Sequence, residues 1–406
     1  MTTTKTIDSR RKVTGALVAG AVATGLFASA SLGSAPPASA SCVSIFGIGN
    51  SPDCSSTLFS AAFAIGSGAT AHADGLFGAA FAIGTAASAI TSPSSVLNLA
   101  ASLFGSNNSA SALGGVFNWA FNIGGNNNVV STQGSFSNQA TNLLGSNNKV
   151  TTQGGYFNFA RNVLGNTNSV KITGGNSNAA VNLLGNNGSV EVLGGAGNLA
   201  RNLFGEGNSV KTVGGYLDTA SNLLGGTGNV ITSEGGYFNS ARNIGGSDNV
   251  LTVGGAGSNL TTALNLFSSG NKLTAGGPGS LNAVLNAGGG DNTISAGGPG
   301  NLNAGFNFFG TGNNVAAGPG PLALAGTVLR DGLTVTKANP GVAINSFRVG
   351  GTSATNSQNA TAPTAVKAAA ATTGTNKKTT KKADNAAGPT TGDNKKTDKK
   401  GADSSE

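Results

Sequence analysis

Hydrophobic and polar positions alternate on two scales. Over five residues, KVTTQ at 149–153 places Val150 and Thr152 on one side and Lys149, Thr151 and Gln153 on the other. A period of two marks a strand with one buried face. On the longer scale, the 20-residue block TNLLGSNNKVTTQGGYFNFA at 141–160 recurs as RNVLGNTNSVKITGGNSNAA, VNLLGNNGSVEVLGGAGNLA and RNLFGEGNSVKTVGGYLDTA. The pattern reaches back through FNIGGNNNVVSTQGSFSNQA. It runs forward past a one-residue insertion after Ser221 and settles at 21, with Asn271, Asn292 and Asn313 in step. Each block halves into ten-residue units of the form x-x-x-x-Gly-x-x-Asn-x-(Val or Ala), which implies similar strands and turns on both sides of a coil.

Laid coil on coil, one inward column reads Val150, Val170, Val190, Val210, Val230, Val250. Its neighbour reads Thr152, Ile172, Val192, Thr212, Thr232, Thr252. β-branched columns of this kind suit a stacked interior. The outward column Thr151, Lys171, Glu191, Lys211 becomes an alternating charge ladder if the coils stack in register. Gly145, Gly165, Gly185 and Gly205 mark corners that need positive φ or have no room for Cβ. Asn142, Asn162, Asn182, Asn202 and Asn222, and likewise Asn138, Asn158, Asn178 and Asn198, are candidate ladders hydrogen-bonding along the axis. Asn148 and Asn168 fit the same role, although Gly188 interrupts their column.

The pattern predicts an all-β fold, a β-solenoid of about eleven 20–21-residue coils on the order of 50 Å long. The alternative is a β/α solenoid, because YLDTASNLLG and NLARNLFG space apolar residues as a Gly-capped helix does.

Composition narrows the class. Gly contributes 66 and Pro 11 of 406 residues with no triplet period, which excludes collagen. Charged residues are 9%. The net charge of +8 resides at the ends, since residues 101–320 carry seven basic and six acidic side chains. That distribution does not point to nucleic acid.

The ends read differently. Arg10, Arg11 and Lys12 precede an apolar run and the small-residue site Ala38-Ser39-Ala40, the pattern of a secretory signal peptide over 1–40. The run is too short and Gly-interrupted for a permanent membrane span. Cys42 and Cys54 are the only cysteines; a disulfide is the expectation in an exported protein, with a lipidated Cys42 or a redox site as alternatives. Residues 41–100 read as an N-terminal cap with degenerate coils, 101–320 as the Asn/Gly-rich solenoid, and 321–350 as a C-terminal cap. Residues 351–406 form a disordered tail in which Lys377, Lys378, Lys381, Lys382, Lys395, Lys396, Lys399 and Lys400 are candidate polyanion contacts.

No catalytic constellation is legible. Glu191, Glu206, Asp218, Glu234, Asp248 and Asp291 are scattered over different columns, and the lone His72 has only Asp74 as a chemically active neighbour. The aromatic residues Trp119, Tyr156, Phe157, Phe159, Tyr216 and Tyr237 recur at one corner, as a packing stripe or a sugar-stacking strip. The outer face is mixed, with Thr falling on interior columns, which disfavours an ice-binding array. Gly289-Gly290-Asp291-Asn292 and Gly245-Gly246-Ser247-Asp248 resemble half-turns of the RTX calcium β-roll, but Asn stands at almost every position where that family needs Asp, so neither calcium nor another cofactor is implied.

The N-[LVI]-[LFG]-G-x-x-N-x-V units and the segment from Gly320-Pro321-Leu322 to Pro340-Gly341-Val342 resemble mycobacterial secreted Asn/Gly-rich repeat proteins, including the Asn-Gly repeat region of PPE-type proteins. A helical PE or PPE domain is lacking, and an export signal stands in its place. The resemblance implies a secreted or envelope-associated, non-enzymatic protein that displays a repeat surface. Envelope polymers or a host surface are its candidate partners. A carbohydrate-binding or calcium-responsive adhesin is the alternative.

Overall fold

The computed structural model describes residues 41–350. The segment 1–40 expected to be an export signal and the lysine pairs from Lys377 to Lys400 lie outside the described residues.

The described chain is built of thirty-three short strands. They form two sheets of eighteen and fifteen strands, and from Ile48–Gly49 to Gly341–Ile344 consecutive strands alternate between the sheets. Each turn therefore contributes one strand to each sheet. The segments with helix-like spacing are strands as well, at Leu199–Glu206 and Thr219–Leu223. The fold is thus an all-β solenoid, and no helix stands among the described residues. Leu199, Leu203 and Phe204 look helical in spacing because one outward column and one corner column are both apolar, while Ala200 and Asn202 between them point inward and are fully buried.

Residues 20 apart are register partners: Asn122, Asn142, Asn162, Asn182, Asn202 and Asn222 pair in succession in the first sheet. In the second, Val130, Val150, Val170, Val190 and Val210 do the same. The second sheet's fifteen strands exceed the expected eleven coils, because in-register pairing starts at Cys54–Ser56 and persists to Thr334–Lys337. At about 4.8 Å per turn the stack is about 70 Å long.

The insertion after Ser221 corrects the inward columns. Val210 pairs with Ile231 and Thr212 with Ser233, so Val230 and Thr232 fall on the outer side. The next turn keeps this register, and Leu251 and Val253 are buried in place of Val250 and Thr252. A one-residue slip inverts a strand's faces, and burial of Ile231 and Leu251 selects the shifted register.

Corners explain the glycines. Leu144, Leu164, Leu184, Phe204 and Leu224 adopt φ between 53° and 66°, a left-handed conformation costly for Leu and Phe. Backbone bonds from the preceding turn hold them there, such as Leu164 N–H to the Leu143 carbonyl at 2.9 Å. The residue that follows must let the next turn approach. A Cβ on Gly165 would lie 2.0 Å from the Gly185 carbonyl oxygen.

Antiparallel strands close both ends. Ser41–Ile45 pairs antiparallel with Ala61–Ile65, and Phe347–Val349 pairs antiparallel with Gly341–Ile344. These reversals replace open edges that would otherwise recruit further strands. The Cys42–Cys54 disulfide, with Cα atoms 5.6 Å apart, ties the first closing strand to the second sheet.

Candidate functional site

The interior consists of side-chain ladders. In the first sheet an alanine column from Ala80 to Ala263 runs beside the asparagine column and is fully buried. Asn162 Nδ2 donates to Asn142 Oδ1 at 2.8 Å, and the links to Asn182, Asn202 and Asn222 repeat it at 2.8, 2.9 and 2.8 Å. From Asn142 to Asn222 each amide is donor to one turn and acceptor from the next, so these buried side chains satisfy one another.

Asn138, Asn158, Asn178 and Asn198 work differently. Their Oδ1 atoms accept the backbone N–H of the next turn's equivalent residue, as Asn178 Oδ1 does from Asn198 at 2.9 Å. Their Nδ2 atoms donate to glycine carbonyls, as Asn198 does to Gly214 at 2.6 Å. Asn148 and Asn168 share this mode at the other corner, and Gly188 still donates its N–H to Asn168 Oδ1 at 2.9 Å. The column therefore loses only one side chain there.

Asp218 follows Asn198 in the column of Asn138, Asn158 and Asn178 and is fully buried. Its Oδ1 accepts the Asn239 N–H at 2.8 Å, while Oδ2 sits where an amide donor is needed and has no partner. Burial pushes the carboxyl up to about 7, and the bond from Asn239 offsets part of that rise. The single-atom difference between Asp and Asn becomes visible only once the column is assembled. Lys337, buried at the last strand of the second sheet with Nζ unpartnered, was equally hidden in an irregular segment.

Outside, both sheets carry polar and apolar columns side by side, in keeping with the expectation of a mixed outer face. On the first sheet the outward column running from Ile65 through Ile83, Leu103, Ile123, Leu143 and Val163 to Leu183 and Leu203 is aliphatic throughout. Beside it lies the exposed corner column of Phe104, Leu144, Leu164, Leu184, Phe204 and Leu224. The second sheet presents Ser169, Ser189 and Ser209, a column that continues as Val230 and Val250, and beside it the Lys171, Glu191 and Lys211 column, which continues as Thr232, Thr252 and Thr274. Its ion pairs join Lys171 and Lys211 to Glu191 at 3.6 and 3.4 Å and are half-exposed, so each contributes about 1 kcal/mol or less.

The aromatic residues divide between two places. Tyr156, Phe157, Tyr216 and Tyr237 lie at one corner, where Tyr216 and Tyr237 stack with ring centres 5.5 Å apart. Trp119 and Phe159 instead stand in strands of the first sheet.

His72 has a neighbour that the sequence distance concealed. Its Nδ1 is 2.8 Å from Ser55 Oγ, which also lies 3.4 Å from Asp74 Oδ1. The order is serine between histidine and aspartate, so Asp74 does not orient the imidazole as triad chemistry requires. Glu191 joins the charge ladder, Glu206 accepts from Asn187 Nδ2 at 2.9 Å, and Asp248 and Asp291 occupy corner positions with φ of 57°. Among the described residues no group of three His, Cys, Asp or Glu is placed to hold a metal ion, and no helix is long and apolar enough to cross a membrane.

Compared with protein-family models and with curated proteins, the chain matches none.

Proposed function

We propose that the chain is an exported, non-catalytic structural protein of the cell envelope or exterior, whose solenoid displays an interaction surface. The observation that carries this reading is the regular columnar surface: a continuous apolar column along the outside of one sheet, hydroxyl and charge-ladder columns along the other. Burial of Asn ladders in place of acid–base pairs supports a scaffold, since the amides from Asn142 to Asn222 are used to hold their neighbours. The export pattern before residue 41 and the Cys42–Cys54 disulfide, which suits an oxidising compartment, support the location. The likeness of the repeat to mycobacterial secreted Asn/Gly-rich proteins points the same way. Fractionation of the native protein, with thiol labelling of Cys42 and Cys54, tests this. Recovery with the envelope or the medium and blocked thiols is expected; a cytosolic protein with free thiols refutes it.

The stacked Tyr216–Tyr237 pair favours a second reading, carbohydrate binding along the aromatic corner. Retention on a glycan array that is lost in Tyr216→Ala would support it; turnover of the glycan would overturn the non-catalytic assignment. The calcium-responsive form of that alternative is tested by chelation. The neutral Asn ladders predict an unchanged melting temperature in EDTA.

A further inference from the structure

The outer face of the first sheet carries a second feature beside its aliphatic column. Arg161, Arg201 and Arg242 stand in one outward column, each two turns from the next through Val181 and Ser221. That spacing is about 10 Å. Arg201 Nε reaches Ser221 Oγ at 3.1 Å, whereas Nε of Arg161 and of Arg242 has no hydrogen-bond partner. Burial, and then the charge of Arg242, holds the Arg201 guanidinium below its usual value. The five-residue strands Phe159–Val163 and Ser240–Ile244 and the outward positions of Leu199–Leu203 contain no carboxylate. The acid–base ladder of this protein lies on the opposite sheet, at Lys171, Glu191 and Lys211.

The aliphatic column and the corner column beside it form an apolar strip about 70 Å long and about 7 Å wide, on the order of 500 Å², at the upper end of the apolar patches that monomers usually expose, while Gln139, Thr141, Thr219 and Ser240 on the same face are polar. Its occupant must bring apolar surface and negative charge together. A second copy of the same face brings only more arginine. Face to face, two such columns would bury guanidinium groups against leucine with no carboxylate to receive them, a costly arrangement. An anionic lipid surface supplies both requirements, because acyl chains meet the Ile, Leu and Phe columns while phosphate oxygens meet the guanidinium fork.

We propose that the outer face of the first sheet docks on an anionic lipid surface, with Arg161, Arg201 and Arg242 engaging the head groups and the Ser/Thr face of the second sheet remaining in water. This assignment rests on the proposed envelope role and names its partner.

The test uses the full chain and vesicles of phosphatidylcholine, with or without phosphatidylglycerol, read by co-sedimentation. Partition onto the anionic vesicles is expected to fall roughly a hundredfold in the triple variant Arg161→Gln/Arg201→Gln/Arg242→Gln, from the contribution of three basic residues near such a surface. The triple Arg→Lys variant should retain most of the binding. Lys171→Gln/Lys211→Gln, on the opposite face, should leave it unchanged, and unaltered melting of all variants checks the fold. Equal partition of the triple Gln variant overturns the proposal. So does loss of binding only when the eight lysines from Lys377 to Lys400 are replaced, or a stable lipid-free dimer, seen by light scattering, that protects the first sheet from exchange. Envelope recovery of a protein that ignores both vesicles would sink the lipid assignment alone; a cytosolic protein would sink the envelope role whatever the vesicles do.

Discussion

Asp218→Asn isolates the one charged residue placed in an asparagine column. In the folded chain the Asp218 carboxyl is pushed up to about 7 from its ordinary 3.8, mainly because it is buried. A raised folded value stabilises the protein fully below the unfolded value and loses that contribution as pH rises through about 7. The gap is worth roughly 4 kcal/mol at full ionisation. Below about pH 4 the carboxyl is protonated in both states, and its O–H can serve the glycine carbonyls much as the neighbouring Asn198 amide serves Gly214. Asp218→Asn supplies that donor at every pH. The variant should melt close to the wild type near pH 4 and well above it near pH 8. Hydrogen exchange should localise the gain to Leu199–Glu206, Thr219–Leu223 and Ser240–Ile244, the strands adjoining this corner. Parallel pH profiles for the two proteins between those limits would refute the placement of Asp218 in the column.

Three further outcomes follow from the ladders. Asn182→Ala leaves Asn202 Nδ2 without its acceptor and Asn162 Oδ1 without its donor, and should cost about 2–4 kcal/mol in chemical denaturation. Gly165→Ala places a methyl group 2.0 Å from the Gly185 carbonyl oxygen and should cost about 3 kcal/mol or more, whereas Gly174→Ala, at φ 68° with open space around it, should cost about 1 kcal/mol; equal losses would contradict the close approach of turns. Lys337→Leu removes a buried, unpartnered ammonium from the end of the second sheet and should raise stability by about 1–3 kcal/mol, read as slower exchange in Thr334–Lys337.

What could be read in advance follows from periodicity. Identical residues at fixed spacing announce stacking, so the Asn142–Asn222 and Val150–Val210 columns and the Lys171–Glu191–Lys211 ladder were legible wherever the period stayed at 20. Beyond Ser221 the same reasoning placed Val230 and Val250 inside. A one-residue insertion moves inward positions by one, and Ile231 and Leu251 compete equally well in sequence. The apolar outward and corner columns were hard to separate because leucine at an outward strand position and leucine at a left-handed corner look alike in a linear chain, and together imitate a helix. Arg161, Arg201 and Arg242 likewise read as scattered charge until alternate turns align them. Ser55 and His72 are 17 apart, in turns shorter than the repeat, so no 20-residue alignment brought them together.

Everything depends on Thr151 lying beside Lys171, one turn on, and not beside Glu191, two turns on. Adjacent strands place such Cα atoms about 4.8 Å apart, within disulfide reach, and residues two turns apart at about twice that distance, beyond it. Paired cysteines measure this directly, since Cys42 and Cys54 are already bridged to each other. Mild oxidation should close Thr151→Cys/Lys171→Cys rapidly and leave Thr151→Cys/Glu191→Cys open; equal rates for the two pairs, or closure only of the second, would contradict in-register stacking.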